Sequence, residues 1–196
     1  MRVGLTGGIA SGKSLASAML ADLGAVVIDY DQLAREVVQP GSPGLQEIVA
    51  RFGIGVLGED GGLNRPALAE VVFQNPHALK DLESITHPLI KHLAAERDEA
   101  AEEGAIVVHD NPLLVEMGGY QEMDVVIVID APVEVQLQRM VELRNMTKQE
   151  AQERIAAQIS REKRNSVADY VIDNTGPIEE LKQELERVWG ELRRQV

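Results

Sequence analysis

The chain has 196 residues, of which 44% are hydrophobic, and its 32 Asp and Glu residues against 19 Lys and Arg residues give a formal net charge of −13. This length is enough to bury a core without covalent cross-links, and the absence of cysteine excludes disulfides, thiolate zinc sites and a cysteine nucleophile. No apolar stretch approaches the roughly 20 residues that cross a bilayer, and no signal peptide is evident, so we predict a cytoplasmic protein. The acidic balance disfavours nucleic acid and anionic membranes as partners.

Short β-branched runs beside turn residues predict the strands of a parallel sheet that is buried on both faces. They are Val3–Thr6, Val26–Asp29, Ala105–Asp110, Val125–Asp130 and, more weakly, Tyr170–Asp173. A helix predicted over Ser14–Leu23 and ended by Gly24 joins the first two strands into a βαβ unit. The expected fold class is therefore α/β.

Capping signals locate three further helices. Pro132 is expected to start one, and the capping box Thr147–Glu150 opens the next. Pro177 is expected as the first residue of the last helix, with Arg193 and Arg194 in its final turn, where positive charge favours the helix dipole.

Residues 31–103 differ from the rest of the chain because prolines punctuate them and no β-branched run intervenes. The prolines are Pro40, Pro43, Pro66, Pro76 and Pro88. Asn64 and Asn75 are expected to be N-caps. The stretch is predicted to be an insertion of four or five helices between the second and third strands.

Gly7–Ser14 matches the phosphate-loop pattern G-x-x-x-x-G-K-[ST], and it lies where that motif requires, between a strand and a helix. Glycines let backbone N–H groups turn inward around phosphate oxygens, and the following helix adds the positive end of its dipole. The pattern predicts that Lys13 contacts the β- and γ-phosphates of ATP and that the Ser14 hydroxyl binds Mg²⁺.

The remaining sequence narrows the class of nucleotide-binding protein. No Asn-Lys-x-Asp guanine reader is present, and the chain is short for a mechanical ATPase with a separate Walker-B strand. A small-molecule kinase is favoured. A nucleotide-binding regulator without turnover is the alternative from another class.

Asp31 follows the second strand and is the candidate general base, since a kinase needs a carboxylate that orients and deprotonates the attacking hydroxyl. Ligands collect at this end of the strands in open α/β sheets. The alternative is that Asp31 only caps a helix over residues 32–38.

Other candidates carry a weaker signal. Asp110, Asn111 and Glu116 flank Pro112–Leu114 at the end of the third strand and are expected either to hold Mg²⁺-bound water or substrate, or to serve turn and cap chemistry. Asp130 is expected to be an N-cap, and His87 to be structural. The basic residues near the C-terminal third could close over phosphates as a lid: Arg139, Arg144, Arg154, Arg161, Lys163 and Arg164.

An ordered set of segments across nearly the whole chain resembles the dephospho-CoA kinase family. The segments are Leu5–Ser14, Val27–Asp31, Ala34–Val38 followed by Pro40–Gly41, Leu63–Arg65, Ile85–Pro88, Pro112–Leu114 with Glu116, Gln136–Arg139, Arg154–Gln158, Ala168–Asp169 and Val171–Asn174. The resemblance implies ATP-dependent phosphorylation of the ribose 3′-hydroxyl of dephospho-CoA, with another P-loop small-molecule or nucleoside monophosphate kinase as the alternative.

The resemblance also implies a layout and a set of site residues. The layout is a three-layer P-loop core of residues 1–30, 104–139 and 166–196 with a five-stranded parallel sheet, a CoA-binding helical insertion at 31–103 and a helical lid at 140–165. The catalytic residues implied are Asp31, Lys13, Arg139 and Arg144. The nucleotide contacts implied are Gly8, Ile9, Ala10, Ser11, Gly12, Lys13, Ser14, Leu15, Asn174 and Gly176. The substrate contacts implied are Asp31, Arg35, Arg65, His87, Leu114 and Glu116. Leu15 and the five-residue spacing from Arg139 to Arg144 depart from the common family pattern.

Overall fold

The computed structural model describes residues 1–196 and contains a five-stranded sheet. Its strands are β1 (Arg2–Gly7), β2 (Val26–Asp29), β3 (Val107–Asp110), β4 (Val125–Asp130) and β5 (Tyr170–Asp173). Their order is β2-β3-β1-β4-β5, and the β1–β3, β1–β4 and β4–β5 ladders are parallel. The predicted α/β class is confirmed, although β3 begins at Val107 rather than at Ala105.

Nine α-helices accompany the sheet. They are α1 (Lys13–Asp22), α2 (Tyr30–Glu36), α3 (Pro43–Phe52), α4 (Arg65–Phe73), α5 (Pro76–Glu99), α6 (Val133–Arg144), α7 (Lys148–Ala156), α8 (Arg161–Asn165) and α9 (Ile178–Leu192). None of them combines the length and the apolar character that crossing a membrane requires.

The structure confirms most of the predicted helix starts. The side chains of Asn64, Asn75 and Thr147 accept backbone N–H groups at the starts of α4, α5 and α7, and Thr147 forms the predicted capping box. Pro132 and Pro177, in contrast, are the residues before α6 and α9 rather than their first residues. Arg193 and Arg194 follow the end of α9 instead of lying in its last turn.

The two faces of β4 explain why its sequence is apolar without alternation. All six residues of the strand are buried. Val125, Ile127 and Ile129 pack with residues of α1 and α9, whereas Val126 and Val128 pack on the other face with Leu114. Burial of each such aliphatic side chain contributes roughly 1.5–3 kcal/mol, so the strand must be apolar on both sides.

The chain folds as two compact units. The first comprises residues 1–28 and 101–196, and the second comprises residues 29–100. The second unit contains α2, α3, α4 and α5, which agrees with the helices predicted between the second and third strands. Its buried core includes Val37, Ile48, Leu68 and Val72.

Helix α5 runs through Pro88, one of the prolines that punctuate this part of the sequence. Proline cannot donate a backbone hydrogen bond and costs about 3 kcal/mol in a helix interior. Leu82, Ile85 and Leu89, on either side of Pro88, all pack against the core of the second unit. This packing offsets the local cost and keeps the helix continuous.

Candidate active site

The loop between β1 and α1 has the geometry of an anion site. The Ser11 N–H donates to the Gly8 carbonyl (3.0 Å), which closes a tight turn. Ala10 (φ 58°) and Gly12 (φ 98°) both adopt left-handed backbone conformations. The backbone N–H groups of Ala10, Gly12 and Lys13 are left without a partner in the chain. Free N–H groups grouped in this way at a helix N-terminus attract phosphate.

Two side chains from later in the chain hold the carbonyl groups of this loop. Asn174, which is buried after β5, donates its Nδ2 to the Ser11 carbonyl (2.7 Å). Arg139 on α6 donates Nη1 to the carbonyls of Ala10 (3.2 Å) and Ser11 (3.3 Å). Its Nη2 donates to the carbonyl of Asn174 (2.6 Å). The phosphate loop and the residues after β5 are thereby joined into one hydrogen-bonded network.

Asn174 also explains why residue 12 is glycine. A Cβ atom on Gly12 would lie 2.0 Å from Asn174 Nδ2, a distance at which one of the two must move. The left-handed conformation of Gly12 adds a second cost for any side chain.

The loop lysine has a carboxylate partner at the end of the neighbouring strand. Lys13 Nζ forms an ion pair with Asp110 Oδ1. Asp110 ends β3, pairs in register with Leu5 of β1 and is 4% exposed. The alternative that these residues serve turn and cap chemistry therefore does not hold for Asp110. It does hold for Asn111, whose Oδ1 accepts the Leu113 N–H (2.9 Å).

Asp130 is not the N-cap that the sequence predicts. Helix α6 follows Pro132 and has no side-chain cap. Asp130 instead accepts hydrogen bonds from Arg161 Nε (2.9 and 3.0 Å) and Nη2 (2.6 Å). Burial would raise the pKa of Asp130, but hydrogen bonds from Arg161 and Asn165 and the nearby positive charge outweigh this and lower its pKa. The pair fastens α8 to the end of β4.

A second arginine of α8 is buried beside the phosphate loop. Arg164 is 4% exposed, and its Nη1 lies 3.2 Å from where a Cβ of Gly8 would be. Its Nη2 donates to the Ile159 carbonyl (3.3 Å) and lies 3.9 Å from Glu116 Oε1. Burial lowers the pKa of Arg164, and the negative charge of Glu116 opposes that shift. The carboxylate oxygens of Glu116 and the Nε of Arg164 are buried without a hydrogen-bond partner.

A cavity of about 470 Å³ adjoins these residues. It lies between the start of α6 and the segment that contains the end of α7 and the start of α8. Its polar lining includes Gln136, Gln158, Ser160, Arg161 and Arg164.

Asp31 and three other predicted contacts lie in the helical unit. Asp29, not Asp31, caps α2, because its Oδ1 accepts the Gln32 N–H (3.0 Å). Asp31 is exposed in the first turn of α2 and its side chain makes no hydrogen bond, so the capping alternative for Asp31 is wrong. The other three are exposed Arg35, exposed Arg65 and half-buried His87.

The remaining predicted residues differ in their surroundings. Leu114 is 1% exposed in the apolar cluster beneath the sheet, so its side chain supports the core. Arg144 is exposed at the end of α6, and Gly176 is exposed after β5. Sequence reasoning gave no role to Gln158, although this residue ends one of the segments that resemble the family.

The comparisons with known proteins agree with this geometry. The sequence model of dephospho-CoA kinase matches residues 1–180. The chain belongs to the dephospho-CoA kinase family. A dephospho-CoA kinase from Streptomyces avermitilis is 50% identical over 98% of this chain and 94% of its own length. One from Thermobifida fusca is 49% identical over 100% and 98%.

Solved structures support the same family and fold. The dephospho-CoA kinase from Campylobacter jejuni superposes with a TM-score of 0.76 at 28% identity, over 99% of this chain and 98% of that one. TT1252 from Thermus thermophilus gives a TM-score of 0.84 at 33% identity, over 98% and 97%. A shikimate kinase from Acinetobacter baumannii (TM-score 0.53, 15% identity, 99% and 93% covered) shares the fold alone. The predicted P-loop kinase architecture is therefore confirmed.

Proposed function

We propose that the chain transfers the γ-phosphoryl group of ATP to the ribose 3′-hydroxyl of dephospho-CoA, giving CoA. The main support for this reaction is that the chain belongs to the dephospho-CoA kinase family. The supporting observation in the structure is the phosphate loop, whose free N–H groups precede α1.

In this proposal, the loop binds the triphosphate through its backbone and Lys13. When ATP binds, the Lys13 ammonium leaves the Asp110 carboxylate and contacts phosphate oxygens instead. The exchange is feasible because the carboxylate and the phosphates are both anionic partners for this ammonium. The Lys13 ammonium and the N–H groups of the loop then stabilise the negative charge that spreads over the transferred phosphoryl group. The N–H groups are already oriented and need no rearrangement.

The residues present fit Mg²⁺. Ser14 offers an exposed hydroxyl at the start of α1, and Asp110 offers a carboxylate next to Lys13. Mg²⁺ prefers such oxygen ligands and is usually held by one or two protein groups together with substrate phosphates. When bound, the ion supplies neutralisation of the β- and γ-phosphate charge.

Asp31 is proposed as the general base that accepts the proton of the 3′-hydroxyl. Its carboxylate is exposed, is not used in capping α2 and follows closely on β2 in the chain. Arg35, Arg65, His87 and Glu116 are proposed contacts to dephospho-CoA.

The hydrogen bonds of Arg139 support a positioning role. All of them go to backbone carbonyls of the phosphate loop and of Asn174, so we assign Arg139 to holding these segments together. Arg144 has no such contacts, and its proposed role is that of a lid residue that contacts the transferred phosphoryl group. In this assignment the two predicted catalytic arginines act differently.

A panel of acceptors tests the proposal. The purified chain is incubated with ATP, Mg²⁺ and one of dephospho-CoA, AMP, CMP or gluconate, and products are identified by mass spectrometry. We expect a gain of about 80 Da, one added HPO₃, on dephospho-CoA alone. Phosphorylation of another acceptor instead would support another P-loop kinase activity, and nucleotide binding without any transfer would support the regulator alternative.

A further inference from the structure

Gln158 makes a hydrogen bond that the functions above do not use. Its Oε1 accepts the backbone N–H of Ile9 over 2.8 Å, across a sequence separation of 149 residues. Ile9 lies inside the phosphate loop, whereas Gln158 lies between α7 and α8 in the predicted lid.

This contact divides the N–H groups of the loop into two sets. The Ile9 N–H is occupied by Gln158 and the Ser11 N–H by the Gly8 carbonyl, whereas those of Ala10 and Gly12 stay free for an anion. A side-chain carbonyl that satisfies one N–H of a strained loop restricts how the neighbouring peptide planes can turn.

The segment that carries Gln158 is itself anchored. Three residues further on, Arg161 pairs with Asp130 at the end of β4. Gln158 also lines the cavity next to the phosphate loop. Residues 158–161 are thus fastened both to the sheet and to the loop, so they can hold the loop in a defined position.

We propose that Gln158 is a positioning residue for phosphoryl transfer: it fixes Ile9 and thereby aligns the free N–H groups of the loop with the β- and γ-phosphates. The inference rests on the proposed kinase function. It assigns a role in ATP alignment to a side chain that touches the loop and not the reacting atoms.

The test compares Gln158→Ala, Gln158→Glu and the control Gln149→Ala. Gln149 is exposed on α7 and its amide bonds only Glu153 (3.0 Å). For each protein we would measure kcat, the KM for ATP and for dephospho-CoA, the Kd of AMP-PNP by calorimetry, and the melting temperature.

We expect Gln158→Ala to lower kcat/KM for ATP about tenfold, because the partly buried N–H of Ile9 loses its acceptor and the loop loses its alignment. AMP-PNP should bind several-fold more weakly, and the KM for dephospho-CoA should not change. Gln158→Glu keeps the acceptor and should recover kcat, with a raised KM for ATP because of its added negative charge. Gln149→Ala should match the wild type.

Two results would overturn the inference. The first is wild-type kinetics and AMP-PNP affinity in Gln158→Ala. The second is a loss that vanishes when each variant is assayed at a temperature where it is fully folded, since that would mark a purely structural contact. If the wild type formed no CoA, the proposed function would fail, and the AMP-PNP affinities would still decide whether Gln158 positions the loop.

Discussion

Replacement of Gly12 by alanine perturbs the phosphate loop in two separable ways. The residue has φ 98°, and an added Cβ would lie 2.0 Å from Asn174 Nδ2. The left-handed conformation costs alanine about 1–2 kcal/mol. Displacement of the buried Asn174 amide from the Ser11 carbonyl costs about 1–3 kcal/mol more. We therefore expect the Gly12→Ala substitution to destabilise the protein by about 2–5 kcal/mol.

The matched control is Gly104→Ala. Gly104 also has a positive φ (80°), but no atom lies within 4 Å of its Cβ position. Gly104→Ala should therefore lower the free energy of unfolding only by the conformational cost of about 1–2 kcal/mol. Since about 1 kcal/mol shifts the melting temperature by roughly 2–4 °C in a chain of this size, a thermal melt resolves the difference.

Activity separates the two variants further. Gly12→Ala should lower the rate of CoA formation about a hundredfold, because displacement of the loop misplaces the phosphates, whereas Gly104→Ala should keep the wild-type rate. In the double variant Gly12→Ala with Asn174→Ala, the clash is gone. Its loss in the free energy of unfolding should therefore be smaller than the sum of the losses of the two single variants. Equal melting temperatures for the two alanine variants, together with a wild-type rate for Gly12→Ala, would refute the reasoning.

Three further substitutions test other parts of the site. Asp31→Asn should lower kcat by about 10²-fold or more while the KM for ATP stays the same, and a kcat within twofold of the wild type would remove Asp31 as the base. Asp130→Asn should cost about 1 kcal/mol in urea unfolding at pH 7, because it breaks a partly exposed pair with Arg161. Because the pKa of Asp130 is lowered in the folded state, the extra stability of the wild type over Asp130→Asn should be complete above the unfolded pKa of about 3.9. It should vanish as the pH falls through the lower folded pKa. A stability difference that does not vary with pH would contradict this. Arg139→Lys should reduce kcat/KM for ATP about tenfold, since one ammonium cannot replace a planar group that bonds three carbonyls, and unchanged kinetics would show that charge alone suffices.

Local sequence signals predicted the strands and most helix starts well. Residues adjacent in the chain determine these features, as when the Thr147 hydroxyl and the Glu150 side chain form a capping box across one turn. The phosphate loop belongs to the same class, because its glycines, its lysine and the following helix are contiguous.

Contacts between distant parts of the chain were not predictable in this way. Asp130 resembles a cap when only its neighbours are considered, but its partner Arg161 lies 31 residues away. Gln158 and Ile9 are joined only because the fold brings α7 and α8 beside the phosphate loop. For α2, two carboxylates lay close enough to serve as the cap, and backbone geometry selected Asp29 over Asp31. Partner choice in these cases depends on tertiary packing, which the local pattern does not encode.

The most direct test of the central claim is CoA formation by the wild-type chain and by Lys13→Ala under identical conditions with ATP, Mg²⁺ and dephospho-CoA. We expect the wild type to give a product heavier by about 80 Da, with the phosphate at the 3′ position by ³¹P NMR. Lys13→Ala should give almost none, because the ammonium that meets the transferred charge is gone. Equal product from both proteins, or none from the wild type, would contradict the assignment of this loop as the site of phosphoryl transfer to dephospho-CoA.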